Sequence, residues 1–285
     1  REYRRVIDAL NPGQYRKLSQ NKIAEKAILS LLSVPTPKFV GRLNAQDGVT
    51  RSGDPLNTAH DLQALIARNG YQRLVFKELE GHGGKGVRIA SFEADDGWWA
   101  LPVGTSKRIS LDNYCSSELR LNADGDWLVE EYFSQHSTIA SLNPNSVNTV
   151  RIWIKRNVTG ARVLTAYLRI GRAAMFVDNA SSGGIVAPID VKTGKLGPAQ
   201  DAHAARGLYP LHPDHGARID GVSIPFWPQV QALAVRALCT FPQINFAGLD
   251  IAVGETGPVV LELNVSPDRE GAGFTGYRSI ELLSR

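Results

Sequence analysis

The chain is poor in cysteine. Two occur among 285 residues, Cys115 and Cys239, far apart and in no CxxC or Cys/His spacing. That excludes a disulfide framework and a thiolate zinc ribbon and predicts two free thiols in a reducing compartment. No apolar run approaches the length of a membrane span and no signal peptide opens the sequence, so the expected location is cytoplasmic, with no membrane partner. Charge runs are also missing. Lys and Arg total 32 against 28 Asp and Glu, a net charge of +4 and a pI near 9.1. The cations are scattered, which suits an anionic small-molecule ligand and argues against nucleic acid as a partner. Repeats and low-complexity tracts are absent. What remains is 43% hydrophobic and 21% charged, enough apolar material for a large domain or two lobes. The chain begins at Arg1 rather than Met.

The most informative stretch spans residues 246–268, FAGLDIAVGETGPVVLELNVSPD. LDIAV and PVVLELNV read as strands and GETG as the turn of a hairpin. With the turn centred near Thr256, Asp250 lies across from Glu262. Side chains alternate along a strand, so Glu262, Asn264 and Asp250 share one face. Two carboxylates on a buried strip need a partner, and Mg²⁺ (or Mn²⁺) takes such oxygen ligands. The competing reading is a pair of surface acids. A one-residue slip in register would remove the cluster.

Residues 4–10 suit a helix that ends at Asn11-Pro12-Gly13. Residues 21–32, NKIAEKAILSLL, form a second, capped by Asn21, with Ile23, Ala27 and Leu31 on one side and Ile28 and Leu32 beside them as an apolar stripe. Another helix covers residues 56–69 and stops at Gly70. Residues 73–91 are two strands joined by a glycine loop, GHGGKG. The P-loop spacing is absent and the loop leads to a strand, yet its backbone N–H groups can still cradle phosphates. Lys77 stands on the strand entering it. Residues 127–133, WLVEEYF, form a strand whose acids are either solvated edge residues or belong to a hinge. Residues 148–156 and 162–172 form two more strands. Val150, Ile152 and Ile154 face one way and Arg151, Trp153 and Lys155 the other, while Arg169 shares a face with Tyr167. Three histidines, His203, His212 and His215, match no zinc spacing. An amphipathic helix over residues 228–240 leads into the hairpin.

This ordered set resembles the ATP-grasp superfamily. The matching pieces are Asn21-Lys22 opening a helix before a PxP segment, Lys77 before GHGGKGV, WLVEEYF, and the terminal D…E-x-N set. NTVRIWI, SSGGIVAPID and HPDHG…IPFW are similar to its sugar-transfer-associated branch, a name tied to polysaccharide loci. The resemblance implies an α+β fold, two lobes that clasp ATP, with a short helical N-terminal segment at 1–34. The smaller lobe with its lid would occupy 35–128 and the larger lobe 129–285. It further implies phosphate-binding Lys22 and Lys77 and a lid over residues 81–86 that includes His82, Gly83 and Gly84. A hinge at Glu130, Glu131 and Phe133 would hold adenine, Asp250, Glu262 and Asn264 would bind metal, and Arg151 and Arg169 would face the γ-phosphate or the acid. The implied activity is ATP-dependent joining of a carboxylate to an amine or thiol through an acyl phosphate, in polysaccharide modification or specialised metabolism. A kinase acting on a sugar or alcohol and a non-catalytic nucleotide-binding module remain alternatives. The implied partners are small-molecule carboxylate and amine substrates, and a homo-oligomer stays open. Only about twenty residues precede the Lys22 helix, where many relatives have a full preceding domain, so the substrate pocket is expected to come from the C-terminal lobe, from a partner subunit or from sequence outside this chain.

Overall fold

The computed structural model of the protein describes all residues except 1, 81–85, 173, 174, 176, 177, 179–182, 202–206 and 285. The chain divides into two compact units, Arg1–Thr36 with Ser134–Arg285, and Pro37–Phe133. Each is built on one antiparallel sheet.

The chain begins with three helices, α1 (Glu2–Leu10), α2 (Gly13–Gln20) and α3 (Lys22–Leu31). Asn21 caps α3, its Oδ1 accepting from the N–H groups of Ile23 and Ala24 at 3.0 Å each. The buried face of α3 is not the expected apolar stripe. Glu25, Lys26 and Leu29 are buried, while Leu31 is 82% exposed. Polar chemistry overrides periodicity here: Glu25 Oε1 accepts from the backbone N–H of Leu263 at 3.1 Å, and Lys26 Nζ donates to Thr36 Oγ1 at 3.1 Å.

The smaller unit contains β1 (Phe39–Asn44), β2 (Val49–Thr50), α4 (Ala59–Asn69), β3 (Arg73–Glu78), β4 (Val87–Ala94), β5 (Trp98–Pro102), β6 (Ile109–Ser110), α5 (Leu111–Asn113) and β7 (Asp126–Glu131). Its strand order is β2-β1-β7-β3-β4-β5-β6. Thr58 and Asp61 form a capping box at the start of α4, and Gly70 ends it at φ 67°. Strand β7 lies inside the sheet, hydrogen-bonded to β1 and β3, so its acids are not edge residues. This pairing ties residues up to Phe133 to the smaller unit, beyond the expected boundary at 128. Cys115 is buried, which pushes its thiol up to about 12, and Cys239 is exposed; both are free.

The larger unit continues with α6 (Ser137–Ala140), β8 (Thr149–Asn157), β9 (Gly160–Ile170), β10 (Ile185–Ile189), β11 (Ala199–Asp201), β12 (Leu208–Tyr209), α7 (Trp227–Cys239), β13 (Phe246–Gly254), β14 (Gly257–Asn264) and α8 (Ser279–Ser284). A 3₁₀ segment, Arg269–Thr275, precedes α8. The strand order is β12-β11-β10-β9-β8-β13-β14. Val150, Ile152 and Ile154 join one core with Val230, Leu233 and Ala237 of α7. Trp153, on the opposite face, packs with Phe246 and Ile7 instead. Among the described residues no helix is long and apolar enough to cross a membrane.

The N-terminal helices are not a separate segment, because Asn11 stitches them to this sheet. Its Nδ2 donates to the carbonyls of Phe246 and Val265, both at 2.7 Å, and its Oδ1 accepts from the N–H groups of Asn245 and Phe246 at 3.0 and 3.1 Å. The side chain is fully buried. Asn11→Ala leaves these backbone groups without that partner. The expected cost is about 3 kcal/mol in urea unfolding, and a loss below the resolution of the measurement would show that the stitch contributes nothing.

His203 lies outside the described residues. His212 is structural: its Nδ1 accepts from Asp214 N–H at 3.2 Å and its Nε2 lies 3.0 Å from the carbonyl of Gly171. Acceptance at Nδ1 fixes the proton on Nε2, and burial lowers the ring's pKa.

Candidate functional site

The β13–β14 hairpin turns at Gly254–Gly257 and pairs Ile251 with Val260. The register then shifts, so that Asp250 pairs with Glu262 and Gly248 with Asn264. Leu261 is the extra residue of a bulge. Asp250 thus stands opposite Glu262, as the sequence suggested, but through an irregularity that alternation alone does not reveal. Asp250 is buried and Glu262 half-buried.

Strand β8 adds Arg151 on the other side of Asp250, and β9 adds Tyr167 beyond it. Arg151 grips Asp250 with two hydrogen bonds, Nε to Oδ1 at 2.5 Å and Nη2 to Oδ2 at 3.0 Å. Arg169 Nη2 reaches the same Oδ2 at 2.8 Å. Burial pushes the Asp250 carboxyl up, and the two guanidinium groups outweigh it, holding the carboxyl below its usual range. Arg169 in turn donates from Nε and Nη2 to Thr149 Oγ1 at 3.0 and 2.8 Å, and lies 3.6 Å from Asp178. Asp178 accepts from both the N–H and the hydroxyl of Thr149. Its carboxyl is pushed up by burial, against the pull of Arg169 and Thr149. The result is a chain of alternating charge, Arg151–Asp250–Arg169–Asp178, with both carboxylates buried and both arginines largely so.

Sequence reasoning singled out Arg151, Arg169 and Asp250 but missed Thr149 and Asp178. Thr149 had a signal, since it lies two residues before Arg151 and therefore on the same face. Asp178 had none, because it sits in a polar loop with no period.

Asp250, Glu262 and Asn264 offer hard oxygen donors along one strip, the chemistry a divalent cation of the Mg²⁺ type accepts. Among the described residues no group of three or more His, Cys, Asp or Glu could hold a metal, and the third donor here is the Asn264 amide. Asp250 already accepts three hydrogen bonds, leaving one lone pair on Oδ1. Asn264 Nδ2 is buried without a hydrogen-bond partner. The set therefore fits a cation carried mainly by Glu262 and the Asn264 carbonyl.

In the smaller unit, Lys77 Nζ lies 2.7 Å from Glu130 Oε2. Glu130 is 2% exposed. Lys77 is on β3 and Glu130 on β7, with Val75 opposite Glu130 and Leu128 opposite Lys77, so the pair runs diagonally across one face. Glu131 pairs with Lys38 at 3.1 Å. Phe133 is half-buried at the end of this unit, and Lys22 is the first residue of α3 in the other. His82, Gly83 and Gly84 of the expected lid lie outside the described residues. Lys77→Met removes the cation beside a buried carboxylate and is expected to cost about 3 kcal/mol in urea unfolding. Adding Glu130→Gln should recover some of that loss, and a double variant whose cost is the sum of the two singles would show that the pair is not coupled.

The family model for sugar-transfer associated ATP-grasp matches residues 1–276. No curated protein matches the chain. Solved structures of the same fold include the D-alanine–D-alanine ligase from Coxiella burnetii, at 13% identity and a TM-score of 0.50, covering 96% of this chain and 54% of that one. The biotin carboxylase domain of Hydrogenobacter thermophilus 2-oxoglutarate carboxylase, solved with MgADP and bicarbonate, matches at 15% identity and a TM-score of 0.53, covering 94% and 45%. A D-cycloserine synthetase matches at 14% and 0.52, covering 96% and 71%. The chain spans about half the length of the first two. Identity this low shows the shared fold alone: two antiparallel sheets with accompanying helices, an α+β architecture.

Proposed function

The chain belongs to the sugar-transfer associated ATP-grasp family, and from that premise we propose that it is an ATP-dependent ligase joining a carboxylate to an amine. The observation that supports this reading is the pair of largely buried guanidinium groups, Arg151 and Arg169, fixed by one carboxylate beside Glu262. Cations held rigidly in a water-poor site stabilise charge developing on a phosphoryl group without reorganisation.

In the proposed reaction a carboxylate oxygen of the substrate attacks the γ-phosphorus of ATP. The bond from that phosphorus to the β–γ bridging oxygen breaks, and ADP leaves. The amine then attacks the acyl carbon, phosphate departs with the C–O electron pair, and the amine's proton is lost. Arg151 steadies the transferred phosphoryl group, with Arg169 behind it and Lys22 and Lys77 as phosphate contacts. Glu262, Asn264 and the remaining Asp250 lone pair would hold Mg²⁺ or Mn²⁺, which supplies charge neutralisation on the ATP phosphates. The MgADP bound to the Hydrogenobacter carboxylase domain supports that cofactor choice. Glu130, Glu131 and Phe133 are assigned to the adenine.

Hydroxylamine trapping tests the reading. With the correct acid, ATP and no amine, hydroxylamine should give a hydroxamate with matching ADP. Arg151→Ala should depress trapping while ATP affinity stays within about threefold, since the proposed contact matters mostly in the transition state. If a broad acid panel gives no hydroxamate while a sugar or alcohol yields a stable phosphoester, the protein is a kinase.

A further inference from the structure

Beside the charged row Glu262–Asp250–Arg151–Tyr167 runs a second row on the same face, Asn264–Gly248–Trp153–Thr165. Two of its members carry buried N–H donors with no acceptor, Asn264 Nδ2 and Trp153 Nε1. Trp153 is 0% exposed. A buried donor without a partner costs free energy, so two in one row call for an explanation.

The neighbouring groups are also donors. Arg151 spends Nε and Nη2 on Asp250, and its Nη1 lies over Gly248, 3.3 Å from where a Cβ would stand. Pro267 fills the rest of that space at 2.8 Å. The absence of a side chain at 248 is therefore what lets the guanidinium lie across β13. Gly271, in the 3₁₀ segment, leaves similar room beside Tyr167 and Trp153. A Cβ there would stand 2.7 Å from Tyr167 Oη and 3.4 Å from Trp153 Cε2, the carbon bonded to Nε1. Tyr167 is buried with Phe274 and Val186, and burial raises its pKa, so the hydroxyl keeps its proton and can donate. No acceptor for it is found among the described residues. Tyr3 stacks on Trp153, and its hydroxyl donates to the carbonyl of Pro267.

The carboxylates whose field reaches Tyr167 are Asp250 and Asp268, and neither accepts from Asn264 Nδ2 or Trp153 Nε1; the missing group is therefore a strong acceptor, and the guanidinium of Arg151 selects an anion. We propose that Arg151 Nη1, Tyr167 Oη, Trp153 Nε1 and Asn264 Nδ2 form the subsite for the carboxylate of the acid substrate. This rests on the ligase reading for its role and on the donor geometry for its chemistry. It also gives Asn264 two tasks on one amide, the carbonyl toward the proposed cation and the NH₂ toward the acid.

The experiment follows the Trp153 Nε1–H resonance in the ¹⁵N-labelled full chain, assigned by comparison with Trp153→Phe. Acetate is titrated at constant ionic strength, with acetamide as a neutral probe of the same shape and inorganic phosphate as a competing anion. Acetate should shift the resonance downfield and saturate, and acetamide should not. Tyr167→Phe should weaken acetate about tenfold or more, the loss expected for one hydrogen bond to a charged group. Gly271→Ala, whose methyl would stand in front of the Tyr167 hydroxyl, should abolish the shift. If that variant does not fold, Tyr167→Phe, which removes a single oxygen, decides. An unshifted resonance, a Tyr167→Phe titration equal to wild type, or saturation by phosphate alone overturns the proposal. These titrations contain no ATP, so a failed hydroxamate experiment leaves a positive acetate result standing, and the reverse also holds.

Discussion

Glu262→Gln is expected to lower the rate of ATP-dependent hydroxamate formation by on the order of 10²-fold or more, with the thermal midpoint nearly unchanged. The substitution keeps shape and removes one charge. Glu262 is half-buried opposite Asp250, and among the described residues it has no hydrogen bond or ion pair that would make its charge structurally necessary. Asp250 is different, because two arginines already hold it. In the proposed site Glu262 is thus the carboxylate with the most capacity left for a cation. The loss should be accompanied by a raised Mg²⁺ requirement, since the remaining donors are an amide carbonyl and one lone pair on Asp250. Retained turnover in Glu262→Gln, or full wild-type activity in excess EDTA, would reject the metal assignment. A large fall in midpoint without a change in Mg²⁺ dependence would make Glu262 a structural residue.

The strands of the larger sheet were legible because a half-buried strand alternates. Val150, Ile152 and Ile154 against Arg151, Trp153 and Lys155 state both faces in six residues, and the structure sorts them so. The cap at Asn21 and the stop at Gly70 were legible for a similar reason, as each reflects local backbone chemistry. Three features were not. The bulge at Leu261 leaves no mark in composition, because the residue resembles its neighbours and differs only in lacking a pairing partner. The buried face of α3 was misread because Glu25 is drawn inward by an unpaired edge N–H, a demand set by another element more than two hundred residues away. The engagement of Arg151 with Asp250 was hidden for the same reason. Each residue was assigned a ligand of its own, and only the β8–β13 register shows that they face each other. Pairwise contacts between distant strands are what a single sequence holds least of, and the candidate site consists largely of such contacts.

Asp250→Asn should be the most destabilising substitution in the candidate site, by about 3–5 kcal/mol in urea unfolding at pH 7. Three hydrogen bonds from two arginines converge on its carboxylate, and both guanidinium groups are themselves largely buried. The amide can accept at only one of its two positions, and it leaves Arg151 and Arg169 as neighbouring cations without the anion between them. The penalty should depend on pH with a defined sign. The folded-state pKa of Asp250 lies below its unfolded value because the arginines outweigh burial. Its contribution is therefore fully present above the unfolded pKa, about 4, and is lost as the pH falls through the folded value. The gap between wild type and Asp250→Asn should then narrow as the pH drops below about 4. Asp178 shifts in the opposite direction, since burial raises its pKa, but it is present in both proteins and largely cancels in the difference. Urea unfolding of the two proteins at pH 7 and at pH 3.5 gives the result directly. A gap that stays constant would mean the arginines do not hold Asp250 ionised. A gap near zero at both values would mean that the chain Arg151–Asp250–Arg169 contributes nothing to the fold, and that its charges are retained only for the ligand.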